Sequence, residues 1–70
     1  MNNIILGIFG AGVLARLQGE LGRAHALLDE SRRIALAVDD EACAADALTE
    51  LGDVADSQGD HALSRRLIEE

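Results

Sequence analysis

The chain has 70 residues, a formal net charge of −7 and a single cysteine, Cys43. That length excludes two independent domains and allows only a modest core. The acidity argues against direct binding of nucleic acid, and the lone thiol excludes an intrachain disulfide and suits a reducing cytoplasm.

Proline is absent and Phe9 is the only aromatic residue. Alanine and leucine favour helix, and nothing in the composition interrupts long helices. Without aromatic platforms, base stacking is not expected either. All the basic side chains are arginine. Together with the abundance of Ala, Gly and Asp, this composition points to a high-GC bacterial genome.

The first predicted helix runs from about Asn3 to Leu17. Its early part is apolar on all sides, which fits burial between neighbours or a missing preceding repeat. The run from Ile4 to Leu14 is too short to span a bilayer. Met1-Asn2-Asn3 lacks the basic side chain of a secretory leader. Gln18-Gly19 is the expected stop.

A second helix is predicted from about Leu21 to Val38, with Ala24, Leu27, Leu28, Ser31, Ala35 and Val38 on one stripe. Glu30 and Arg33 are spaced to pair across one turn. Asp39-Asp40 then supplies a cap for a third helix, from about Glu41 to Ser57. Its stripe is Ala44, Ala47, Leu48, Leu51, Val54 and Ala55. Gln58-Gly59 is the expected stop, and Asp60 the cap of a fourth helix carrying Leu63, Leu67 and Ile68.

One phrase occurs twice. Gly12-Val13-Leu14-Ala15 followed by Gln18-Gly19-Glu20 returns forty residues later as Gly52-Asp53-Val54-Ala55 followed by Gln58-Gly59-Asp60. Leu27 and Leu28 align with Leu67 and Ile68, and Asp29 and Glu30 with Glu69 and Glu70. A fixed period of this size is the mark of stacked helical hairpins. The small residues Gly12, Ala15 and Ala24, then Gly52, Ala55 and Ser64, are expected at close helix crossings.

Leu51-Gly52-Asp53-Val54-Ala55, Gln58-Gly59-Asp60 and Ala24-His25-Ala26-Leu27-Leu28-Asp29-Glu30-Ser31 resemble the tetratricopeptide repeat (TPR) family from Gly12 to Glu70. The likeness is to the long-period repeats of bacterial LuxR-type activators, antibiotic regulators and adenylate-cyclase-like proteins. The family's proline after the second helix is missing, its aromatic positions hold Ala15 and Ala55, and the period exceeds the usual value of about 34 residues. The resemblance implies an all-α, right-handed stack of two antiparallel hairpins, about 3–38 and about 41–70, the second truncated. It also implies a groove for a peptide or protein, with no catalytic residue.

Several sharper readings compete. Gly10-Ala11-Gly12-Val13-Leu14-Ala15 fits a dinucleotide phosphate loop, with Ile4 to Phe9 as its strand and Asp39-Asp40 as the ribose acid. The acid lies beyond the usual spacing of about 20 residues, and the helical stripe continues through Val38. Asp39, Asp40 and Glu41 read better as a cap than as a metal or general-acid cluster. His25, Cys43 and His61 lack zinc-ligand spacing. Arg32-Arg33 and Arg65-Arg66 read as surface charge paired with nearby acids.

The sequence therefore predicts a cytoplasmic interaction module of a larger bacterial regulator, not an enzyme, with no cofactor and no metal. Its expected partner is a protein or peptide, not nucleic acid or membrane. Asp46, Glu50 and Asp53, outward on the third helix, are the candidate partner-binding residues. Two repeats without a cap imply either a piece of a longer scaffold or self-association through exposed end helices. A nucleotide-binding fragment with a Gly10-Ala11-Gly12 phosphate loop and a structural spacer with no specific ligand are the alternatives.

Overall fold

The computed structural model describes the backbone of residues 3–69 and the side chains of residues 3–59. The described residues form three helices and no strand: α1 (Asn3–Leu17), α2 (Leu21–Ala37) and α3 (Glu41–Glu69). The chain is all-α, as expected. α2 packs against both α1 and α3, while α1 and α3 meet over a short stretch only.

Both turns have the same construction. After α1, Gly19 takes a left-handed φ of 81°. The Glu20 N–H donates to the Ala15 carbonyl (2.9 Å) and the Gly19 N–H to the Arg16 carbonyl (3.0 Å). After α2, Asp39 takes a φ of 58°. The Asp40 N–H donates to the Ala35 carbonyl (2.8 Å) and the Asp39 N–H to the Leu36 carbonyl (3.3 Å). Each pair is a Schellman cap, which satisfies the last free carbonyls of a helix.

The starts of the next helices differ. Asp40 accepts a bond from the Cys43 N–H at Oδ1 (3.1 Å), the expected cap of α3. That backbone bond, aided by one from the Cys43 side chain, holds the Asp40 carboxyl below its usual range. Because the shift is downward, the cap stabilises the fold above the ordinary carboxylate pKa and is lost as acid titrates Asp40. Glu20, the matching acid before α2, makes no side-chain cap bond.

The core lies in two clusters along α2. Ala15, Ala24, Leu28 and Val54 form one, with Phe9, Val13, Leu21, Leu27 and Leu51 partly buried against it. Ile5, Ala35, Cys43 and Ala44 form the other, with Ile34 at its edge. The predicted stripe of α2 is buried at Ala24, Leu28, Ser31 and Ala35 but not at Val38. On α3, Ala44, Ala47 and Val54 are buried whereas Leu48 and Ala55 are exposed. Steps of three and four suit two adjacent faces of α3, and only one of them meets α2.

Ser31 is fully buried and its hydroxyl has no hydrogen-bond partner. An unpaired buried hydroxyl costs more than the methyl group that would replace it. Ser31→Ala is expected to raise unfolding stability by roughly 1 kcal/mol, read from urea midpoints; a loss of stability would mean that the hydroxyl is bonded in solution.

The second copy of the repeated phrase departs from expectation. α3 runs unbroken through Gln58-Gly59, so the predicted stop there and the separate fourth helix are absent. Gly19 is the only glycine with positive φ among the described residues. A glycine inside a helix costs only about 1 kcal/mol relative to alanine, so continuation wins unless packing pulls the chain back. The expected stripe of Leu63, Leu67 and Ile68 falls outside the described side chains.

The two glycines of the phrase also diverge. A Cβ at Gly12 would lie 2.8 Å from Leu28 Cγ and 2.9 Å from its Cδ2. At Gly52 it would meet nothing within 4 Å. The close crossing expected at both is therefore present at Gly12 alone. The counterpart of Leu28 is Ile68, sixteen residues beyond Gly52 on the same unbroken helix.

Candidate partner groove between α1 and α3

The candidate acids Asp46, Glu50 and Asp53 are spaced four and three residues apart, which places them on one face of α3. Asp46 and Asp53 are exposed and Glu50 is half-buried. Asp46 borders a recess of about 60 Å³ whose other walls are Ile5, Leu6 and Phe9 of α1 and Cys43 of α3. The recess is apolar inside and carries one acid at its lip.

Glu50 is occupied by a contact within the chain. Its Oε2 accepts a hydrogen bond from Arg16 Nε at 3.0 Å. Arg16 is the only charged residue of α1. This ion pair joins α1 to α3 beside the recess, where their packing is short. It is partly shielded from water, so it sits at the upper end of the small range typical of surface pairs, about 1 kcal/mol. Glu50 is thus engaged within the chain, while Asp46 lines the recess and Asp53 is exposed further along the same face of α3.

Cys43 is buried and lines the recess. The hydrogen bond from its thiol to Asp40 raises its pKa, and burial and the charges of Asp40 and Asp46 push the same way. A thiol held protonated is a poor nucleophile and a poor metal ligand. Among the described residues no group of three His, Cys, Asp or Glu side chains is placed to hold a metal ion. His61 and Arg65-Arg66 lie outside the described side chains.

The phosphate-loop motif has no loop. Gly10, Ala11 and Gly12 lie inside α1, and Ile4 to Phe9 are helix where that motif requires a strand. Backbone N–H groups in mid-helix are bonded to carbonyls four residues back and cannot cradle a pyrophosphate. Gly12 serves the approach of Leu28 instead.

Arg32 and Arg33 pair locally with Asp29. Arg33 Nε lies 3.3 Å from Asp29 Oδ2, and Arg32 Nη1 4.0 Å from Asp29 Oδ1. The expected Glu30–Arg33 pair is replaced by the four-residue spacing to Asp29, which on a helix is equally close.

Sequence reasoning found the acidic face but missed the recess and the Arg16–Glu50 link. The one available signal was that a lone arginine on an otherwise uncharged helix needs an acid from elsewhere. No helix of the described residues is long and apolar enough to cross a membrane. No family model matches the chain, and searches of curated proteins and of solved structures return no match.

Proposed function

We propose that this chain is a binding module, not a catalyst, and that it holds a peptide segment of a protein partner in the groove between α1 and α3. The observation that carries this reading is the apolar recess with Asp46 at its lip. A recess of about 60 Å³ suits the end of one aliphatic side chain. Asp46, with Asp53 two turns further along the same face, favours a basic residue beside that anchor.

The packing order supports a TPR-like arrangement. α1 and α2 form an antiparallel hairpin, and the first half of α3 takes the place of the first helix of the following unit. In such a stack the first helices line the concave side, and on this reading the recess between α1 and α3 would open there. The module would then serve a larger cytoplasmic bacterial regulator, with neither nucleic acid nor membrane as its direct partner.

The test is fluorescence anisotropy with labelled peptides carrying a leucine flanked by arginines. Binding is expected to weaken with salt and to fall at least tenfold, about 1.4 kcal/mol, in Asp46→Lys. Peptides with the arginines replaced by glutamates should not bind. No binding by any basic–aliphatic peptide would leave the chain as a spacer, and binding indifferent to Asp46→Lys would overturn the assignment of the site to this recess.

A further inference from the structure

We propose that the outer face of α1 is a self-association surface, pairing antiparallel with α1 of a second copy of this chain. Among the described residues, four of the seven exposed large apolar side chains belong to α1: Ile4, Leu6, Leu14 and Leu17. Leu6 borders the recess; Leu14 and Leu17 accompany Gly7 and Gly10 on the side of α1 opposite Gly12, with Ile4 and Ala11 at the flank of that face. Leu14 and Leu17 are 54% and 69% exposed. Exposed apolar side chains gathered on one helix mark an interface.

The charge distribution selects the occupant. Two copies, each at −7, repel over most of their surfaces. The outer face of α1 is exempt, because the helix's one charge, Arg16, is held by Glu50. A charged partner gains nothing there. The suitable partner is another uncharged helix face with complementary relief, and α1 supplies one to itself.

The relief is self-complementary. A Cβ built on Gly7 or Gly10 meets nothing within 4 Å, so both glycines are open notches on the surface. With the two-fold axis passing beside Gly10 and Ala11, antiparallel pairing seats Leu14 of each copy over Gly7 of the other. The contact is isologous, with each copy giving the knob and the notch. Small residues at the axis permit an interhelical distance near the short end of the usual range, about 8 Å. α1 is only about 22 Å long, so the buried area falls below the roughly 800 Å² per partner of a standard interface. Association is therefore expected in the micromolar range. This inference is independent of the peptide groove, whose acids lie on α3.

Sedimentation of the full chain from low to high micromolar concentration tests it. The wild type should shift from monomer to dimer across the series. Leu14→Glu should remain monomeric. Gly7→Leu fills the notch and should also remain monomeric, with undiminished helicity because Gly7 has open space around it. In a Cys43→Ala background, Gly10→Cys should form an intercopy disulfide on mild oxidation. Leu17→Cys should not, because antiparallel pairing puts its copies about 20 Å apart. A wild type that stays monomeric throughout, a dimer that survives Leu14→Glu, or crosslinking through Leu17→Cys as readily as through Gly10→Cys would each overturn the proposal.

Discussion

Leu28→Ala is expected to remove about 2–5 kcal/mol of unfolding stability, towards the upper end of that range. Leu28 is fully buried and sits in the cluster that draws on all three helices, with Ala15, Ala24 and Val54. On α1 it faces Gly12, which has no side chain to move into the space, and Ala15, which has only a methyl group, while Phe9 and Val13 pack at the edge of the cluster. The cavity would therefore stay open, and an open cavity adds its own cost to the lost burial. At roughly 0.05–0.15 kcal/mol per residue, a 70-residue fold holds about 4–10 kcal/mol in all. The variant should be largely unfolded or molten by far-UV and near-UV dichroism. Leu48→Ala, at an exposed site on α3, should change stability by less than about 0.5 kcal/mol. Equal losses at the two positions would contradict the packing described.

Gly12→Val attacks the same contact from the other side. Alanine at a helical glycine ordinarily gains about 1 kcal/mol of helix propensity, so the sign depends on space. Here the first added atom would lie 2.8 Å from the branch carbon of Leu28 and 3.3 Å from its backbone nitrogen. Leu28 is fully buried and cannot swing aside, so α1 and α2 must separate. Valine adds two methyl groups to that overlap. Overpacking of this kind costs about 1–3 kcal/mol, enough to outweigh the propensity gain. Gly52→Ala, with open space around it, should gain up to about 1 kcal/mol. Thermal midpoints moving in opposite directions for the two glycines would confirm that their structural roles differ.

These two glycines show what the residues alone made legible. The helical periods located α1, α2 and the start of α3 to within about a residue, and the Asp39-Asp40 pair was recognisable as the source of a cap because its chemistry is local. The buried stripe of α2 was readable at Ala24, Leu28, Ser31 and Ala35, since i, i+3 and i+4 spacing is a property of one helix. The role of Gly59 was not. Capping positions recur at Gly19 and Asp39, twenty residues apart, and the same interval falls on Gly59. Glycine suits a left-handed cap far better than aspartate, yet the chain turns at Asp39 and runs straight through Gly59. Local preference at one residue is weaker than the packing of α2 on α3, which requires the turn at Asp39.

The candidate site divides in the same way. Asp46 and Asp53 could be chosen from the spacing along α3, a local quantity. The recess beside Asp46 needs Ile5, Leu6 and Phe9 brought from α1, and Glu50 meets Arg16 across 34 positions of sequence. Neither follows from a pattern within one helix, so the sequence placed Glu50 among the free acids.

The claim that the repeated phrase turns the chain once and not twice is open to a direct comparison of Gly19→Ala and Gly59→Ala by far-UV ellipticity and denaturation midpoint. Alanine at Gly19, held at φ 81°, should cost about 1–2 kcal/mol and lower the midpoint. Alanine at Gly59, inside α3, should increase helicity and leave the midpoint unchanged or raised by up to about 1 kcal/mol. A loss of helicity and stability in Gly59→Ala matching that in Gly19→Ala would contradict the account and restore a turn at the second copy.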